Sequence, residues 1–275
     1  SVSAGIATLG NLTVNGGTLS GAGTASIGVL TETSGTLAIS AFTLTGPSTW
    51  SGGNWNSSSA STATIDSGAT LTIASGSVHD FDYRNITSAG TVNWTGGQLR
   101  SGHGGTFTNQ ATFNDSAGSF FNNAYGGTGG TTFINAATGI YNKTGTGTSD
   151  MDAPFNNSGT VNVTDGTFEL RAGGSADGTG AFAISSGALL RITSGYTVAD
   201  ASLITGPGTF QVSGGTLSLT GTLPAPFLLT GGTVAGTHAL GGGATWNSGN
   251  FNAGGTTTIN GNLTIATTNV HDFDG

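Results

Sequence analysis

Glycine interrupts nearly every apolar run of this chain within a few residues, and inside each run apolar and polar residues alternate. In Ala69-Thr70-Leu71-Thr72-Ile73 the leucine and isoleucine fall on one face and the threonines on the other, the period of a half-buried strand. Thr160-Val161-Asn162-Val163 and Thr257-Thr258-Ile259-Asn260 behave alike. No segment keeps a 3.6-residue apolar spacing over three turns, so the pattern predicts strands of three to five residues and almost no helix. Turn-like steps precede such runs at Ser67, Ser88, Asn109, Asn135, Asn157, Ser185 and Gly206, roughly 21 to 28 residues apart. That spacing marks stacked repeats and is too short for a propeller blade.

A second signature overlays the first: an apolar residue, a turn closing on glycine, one polar residue, then another apolar residue. It reads Val14 to Leu19, Trp50 to Trp55, Trp94 to Leu99, Val163 to Phe168, Val212 to Leu217, Leu229 to Val234 and Trp246 to Phe251. A tight bend between strands needs a residue that tolerates positive φ, which is glycine's role here. The two flanking apolar side chains then both point inward across the corner.

A β-sandwich needs longer strands and hairpin connections. Short strands, a turn every few residues and recurrence of like residues predict instead an all-β fold, a parallel β-helix or β-solenoid of about twelve coils of roughly 21–28 residues. At ~4.8 Å per coil the rod is roughly 55–60 Å long. Stacked coils place Val, Leu, Ile and Phe in an interior ladder and Thr outside. Asn109, Asn114, Asn135 and Asn157 are expected to hydrogen-bond turn backbone of neighbouring coils. Charged residues are only 7% of the chain, as expected where like charges would stack and repel.

A longer repeat is also present. The segment 49–82 returns as 245–274: Thr49 to Trp55 matches Thr245 to Phe251, Leu71-Thr72-Ile73 matches Leu263-Thr264-Ile265, and Val78-His79-Asp80-Phe81-Asp82 matches Val270 to Asp274 letter for letter. The second copy stops inside the unit, so residues 1–275 read as a single continuous solenoid segment of a longer repetitive protein. The start at Ser1 without Met fits processing or excision from a precursor.

Thr106 to Asn114 and Phe155 to Asn162, with their Gly-Thr-apolar-x-Asn periodicity, resemble the coils of secreted bacterial repetitive β-helix surface proteins, the autotransporter passengers and filamentous-haemagglutinin-type adhesins. The resemblance covers most of the chain and is one of style rather than of a specific motif. It implies a right-handed parallel β-helix, an extracellular or bacterial cell-surface location, and a role as adhesin, stalk or fibre. No translocator barrel or secretion domain is visible in the sequence.

Charge and composition remove other classes. Thirteen acids against five bases, net −8, leave no basic groove for nucleic acid. No stretch approaches the ~20 apolar residues of a membrane helix, so no membrane insertion is expected in this segment. Absence of cysteine removes disulfides, zinc–thiolate sites and thiol nucleophiles together. No nucleophile elbow, phosphate loop or dinucleotide fingerprint appears.

The chemistry-bearing candidates are few. In His79-Asp80-Phe81-Asp82 an extended chain puts both carboxylates on one face and Phe81 on the other. Asp80 and Asp82, with Asp272 and Asp274 in the second copy, are therefore candidate calcium ligands. The preferred reading is a corner loop with solvated acids and a buried Phe, because a recurring corner sequence belongs to any repeat array. Asp150-Met151-Asp152, beyond a Gly/Thr/Ser-rich excursion, reads as an exposed loop; with Lys143 and Arg171 nearby it is the candidate for polysaccharide cleavage. His103 and His238 read as exposed loop histidines. Trp50, Trp55, Trp94 and Trp246 are read as interior packing at corners, the alternative being a sugar-stacking strip. No catalytic residue and no cofactor other than the calcium candidate is assigned.

The function expected is that of a structural or adhesive segment of a surface or matrix fibre, acting by length, rigidity and repeated display. Its expected partners are continuing repeats or like chains end to end, and surface glycans. The alternative is a carbohydrate-active β-helix, a polysaccharide lyase or hydrolase or a tailspike-like glycan binder.

Overall fold

The structure, a computed structural model, describes residues 5–252, 254–266 and 271–274. It is a parallel β-solenoid of about 11 turns. Every strand pairing between named elements is parallel, as in Leu71 beside Val92 and Val92 beside Phe113. The single helical turn among the described residues is Ala201–Leu203, opened by the Asp200 carboxylate accepting from the Ser202 N–H.

Successive strands visit three faces in rotation. Arg84–Ser88 lies on the first, Thr91–Trp94 on the second and Gln98–Gly102 on the third, and the next coil repeats the order with Thr106–Asn109, Thr112–Asp115 and Phe120–Gly126. The third face is a ten-stranded sheet; the other two are joined through a run of extended chain, Ile6–Leu44, that bends around several corners without a break. That run exceeds the three to five residues expected per strand, because its corners keep extended backbone instead of closing as tight turns. Coil length is also more variable than the sequence suggests. Phe210 and Phe227, 17 residues apart, are register partners, and so are Phe121 and Met151, 30 apart. Shortening falls at the corners, which the in-register ladders do not constrain.

Alternation decides what lies inside. Leu71, Ile73, Val161 and Val163 are fully buried, and rings stack coil on coil: Phe107 on Phe133 and Phe133 on Phe155 at 5.3 Å, Phe113 on Tyr141 at 5.1 Å. All four tryptophans are at 0% exposure, so they are packing residues and no tryptophan strip faces solvent.

The corner signature has a specific cause. The glycine four places into each copy, at 17, 53, 97, 166, 215, 232 and 249, has φ between 64 and 92°, a region that costs a side-chain residue roughly 1–2 kcal/mol. In the three tryptophan copies the indole N–H of Trp50, Trp94 and Trp246 donates to the carbonyl of that glycine, at 3.3, 3.0 and 2.9 Å. The left-handed turn thus supplies the acceptor that a buried indole requires.

The long repeat is the same local unit built on two different edges. In the first copy the corner joins the second face to the third; in the second copy it joins the third to the first. Partners are conserved between the copies: Ile73 beside Trp50 and Ile265 beside Trp246, Asp80 beside Asn54 and Asp272 beside Asn250. His79 stands edge-on to Trp50 at 5.0 Å and His271 edge-on to Trp246 at 4.6 Å.

Two amide ladders lock the coils. Asn109 Nδ2 donates to Asn135 Oδ1 at 2.8 Å and Asn135 Nδ2 to Asn157 Oδ1 at 2.9 Å, inside, and each also donates to a backbone carbonyl of the following coil. Asn114 differs from expectation. It lies mid-strand on the outer side of the second face, in a row with Asn93, Asn142 and Asn162 joined amide to amide at 2.9 Å.

Candidate functional site

The third face is where outward bases and acids are brought together. Arg100, Arg171 and Arg191, three of the five basic residues, project from it, while Arg84 and Lys143 are buried inside. Two outward columns run up this sheet. One reads Asp80, Arg100, Asn122, Asp152; the other reads Phe120, Asp150, Glu169, Arg191, Gln211. Register partners sit about 4.8 Å apart; opposite charges meet at Asp80 and Arg100 and at Glu169 and Arg191, whereas Asp150 and Glu169 are like-charged neighbours whose repulsion is offset by Arg171 and Arg191.

The side chains form two linked groups, one around Arg100 and one around Arg171 and Arg191, with Asn122 between them. Arg100 grips Asp80 through Nε and Nη2 at 2.7 and 2.9 Å. Tyr125 reaches over Arg100, its Oη donating to Asp80 Oδ2 at 2.8 Å and accepting from Asn56 Nδ2 at 3.2 Å. Further along, Arg171 lies 3.2 Å from both Asp150 and Asp152, and Arg191 bridges Glu169 at 2.9 Å and Gln211 Oε1 at 2.8 Å. Gln211 Nε2 continues to Thr230 Oγ1 at 2.8 Å. Burial raises the Asp150 pKa; Arg171 opposes the shift, and Glu169 and Asp152 add to it. The bond to Asp80 holds Arg100 above its ordinary value, while burial, helped by Asp80, does the same for Tyr125.

Beside this strip is a strained corner. Asp82 accepts from His103 Nδ1 at 3.0 Å, and the His103 ring stacks on Tyr83 at 4.3 Å, nearly parallel. Tyr83 and His103 have φ of 61 and 51°, two of the three described non-glycine residues with left-handed backbone. Such strain persists only where surroundings over-determine it, here the ring stack and the carboxylate.

The expected site residues are placed as follows. Asp80 and Asp82 do not share a face. The strand ends at Asp80, the chain turns, and each carboxylate is met by a base from the next coil instead of solvent. Among the described residues no group of three or more His, Asp or Glu side chains is arranged to hold a metal ion. Asp272 is exposed on its strand, and the Asp274 side chain lies outside the described residues. Phe81 is buried as expected; His79 is buried as well, against Trp50, and burial lowers its pKa.

Asp150 and Asp152 are not in a loop. They are outward residues of the strand Thr148–Asp152, whose Met151 faces the core, because Ser149 and Met151 continue the inward parity of the coils above and below. Lys143, placed near them by sequence, is directed inward, where its Nζ donates to the Gly145 and Asp165 carbonyls. His238 is buried too, Nδ1 donating to Gly236 O at 3.0 Å while Nε2 accepts from Thr257 Oγ1 at 3.2 Å; burial holds its pKa low.

The sequence reading missed the interior polar groups. Asp115 is fully buried beneath Tyr141, whose hydroxyl donates to Oδ2 at 2.7 Å, and burial raises both groups and lowers Lys143. Glu32 and Arg84 are buried toward the other end. Compared with protein families, curated proteins and solved structures, the chain matches none.

Proposed function

We propose that this chain is a length of extracellular fibre, structural and adhesive, that acts by span, rigidity and repeated display. One observation carries the reading: identical outward groups recur on successive coils in register, as in the Asn93, Asn114, Asn142 and Asn162 row. A column of this kind offers a partner the same group at every ~4.8 Å step. The filled aromatic interior and axial backbone hydrogen bonds support load along the rod. Continuing repeats, or like chains end to end, lengthen it. The near-absence of lysine and the lack of cysteine fit a surface location.

The test places the chain between a bead and a surface in an optical trap, then presents the same beads to immobilised polysaccharides. A tether that resists load and unravels in coil-sized steps, with attachment to a polysaccharide, is the expected result. Unfolding at forces no higher than those that open a small helical bundle, with no attachment, removes the proposal. Release of new sugar ends from the polysaccharide replaces it with the carbohydrate-active reading, for which Asp150 and Glu169 on adjacent rungs are the carboxylates to mutate. Protease shaving of intact cells tests the location.

A further inference from the structure

The geometry points to a binding site for a neutral oligosaccharide on the strand Phe120–Gly126 of the third face, an inference that rests on the adhesive reading and names its ligand. This strand is seven residues long against five for each of the two it pairs with, and its register with the strand Gln98–Gly102 slips between Asn122 and Gly126. A bulge re-aims side chains. Here it turns Tyr125 outward, while Phe120, ahead of the bulge, faces out by alternation with the buried Phe121; at 36% and 37% exposed they are the only aromatic rings among the large apolar side chains most open to solvent in the described residues. Because Asn122 to Gly126 covers only Arg100 to Gly102 on the partner strand, the backbones of Phe120 and Tyr125 are roughly 11 Å apart, more than a single sugar ring fills.

Between the two rings lies Asn122, with Arg100 on the rung before it and Asp152 on the rung after. Asn122 is half-buried between the two rings, its amide one of the polar groups on this stretch of the strand. Tyr125 is fixed in advance. Its hydroxyl is held by Asp80 and Asn56, and the Arg100 guanidinium lies 5.8 Å from its ring centre. A ring already immobilised loses little entropy when a ligand lands on it.

Charge selects the ligand class. Arg100 is charge-paired with Asp80, and Arg171 with Asp150 and Asp152. No unpaired cation is left here to draw a polyanion, and the surplus of one carboxylate, with Asp150 and Asp152 sharing Arg171, repels it. What the surface offers is two apolar ring faces for the C–H faces of sugars, with carboxylate, amide and guanidinium edges between them for hydroxyls. That combination of apolar walls and a few placed polar groups suits an uncharged polyhydroxylated chain.

Isothermal titration of the intact chain with cellohexaose, laminarihexaose and a hexamer of galacturonic acid tests this. At least one neutral hexasaccharide is expected to bind, with affinity reduced tenfold or more in Phe120→Ala and in Tyr125→Ala. Tyr125→Phe, which keeps the ring and frees it, is expected to lose about threefold. Ile140→Ala, exposed on the neighbouring face, is the control and is expected to change affinity less than twofold, all variants retaining the wild-type circular dichroism spectrum. No heat with either neutral sugar, a preference for the acidic hexamer, or unchanged affinity in both alanine variants overturns the site. If beads attach to polysaccharide while both alanine variants attach like the wild type, the site falls and the adhesive reading stands. If beads neither attach nor resist load while a hexasaccharide still binds this strand, the reverse holds.

Discussion

Glu32 Oε2 accepts the indole N–H of Trp55 at 2.6 Å inside the solenoid, and both residues are fully buried. The second oxygen, Oε1, has no partner. A lone carboxylate in such a place is costly, so burial pushes the Glu32 pKa up to about 8, with Trp55 and Arg84 opposing the shift.

The consequence is a pH dependence of defined sign. The unfolded chain releases the Glu32 proton near 4.5 and the folded chain near 8. The stabilising contribution is therefore complete below pH 4.5 and is lost as pH rises through 8, an effect of at most about 5 kcal/mol. Melting temperature is expected to fall between pH 5 and 9 in the wild type. In Glu32→Gln, which cannot ionise, the fall is expected to shrink and the variant to be the more stable protein at pH 9. Parallel slopes for the two proteins would show that Glu32 titrates normally.

The corner glycines separate two costs that usually travel together. Gly68 has φ 83° and nothing within 4 Å of where a Cβ would stand; Gly97 has φ 77°, and there a Cβ would overlap the Ser77 carbonyl oxygen. Gly68→Ala is expected to cost about 1 kcal/mol, the backbone strain alone. Gly97→Ala is expected to cost about 3 kcal/mol or more, since the clash is with backbone of the previous coil. Urea midpoints of the two variants measure the difference, and equal midpoints would mean that the coils yield at this corner.

How much of this could be read from the sequence depends on one rule, alternation, and on where residue type obscures it. Leu71 and Ile73, the corner glycines and the buried tryptophans all follow from parity and turn chemistry. The same parity places Asp115 with Phe113, Lys143 with Tyr141, Arg84 with Ile86 and Glu32 with Leu30, all inward. These four charged residues were legible by position and hidden by type, because charged side chains are almost never fully buried unless paired. The third-face columns were not legible. Asp80, Arg100 and Asn122 become neighbours only once the register is known, and coil lengths from 17 to 30 residues leave it undetermined in the sequence.

Inner and outer amide ladders invite a direct comparison. Asn135 gives its amide to Asn157 and takes one from Asn109 with no solvent to replace either; Asn114 makes the same two kinds of bond on the outer side, partly exposed. Asn135→Ala leaves buried groups without partners and is expected to cost about 2–4 kcal/mol. Asn114→Ala is expected to cost under about 1 kcal/mol, because water takes over the freed amides. Chemical denaturation of both variants checks the ratio; comparable losses would mean that stacking geometry, not desolvation, sets the value of a rung.

Arg84 ties three coils together from within. Its Nε donates to Trp55 O at 2.7 Å, Nη1 to Thr62 O at 2.8 Å, and Nη2 to Leu37 O and Ile39 O at 3.2 and 3.0 Å, with the guanidinium 4.9 Å from the Phe42 ring centre. Only a planar fork reaches carbonyls on several sides at once; an ammonium is a single point of charge. Arg84→Lys therefore keeps the charge and leaves some of these carbonyls without donors, at an expected cost of about 2–4 kcal/mol. In a stacked array each coil contacts only its neighbours, so damage stays local. Amide hydrogen exchange is expected to accelerate in residues 37–62 and to be unchanged beyond residue 200. Uniform acceleration along the chain would mean that the rod unfolds as one cooperative unit.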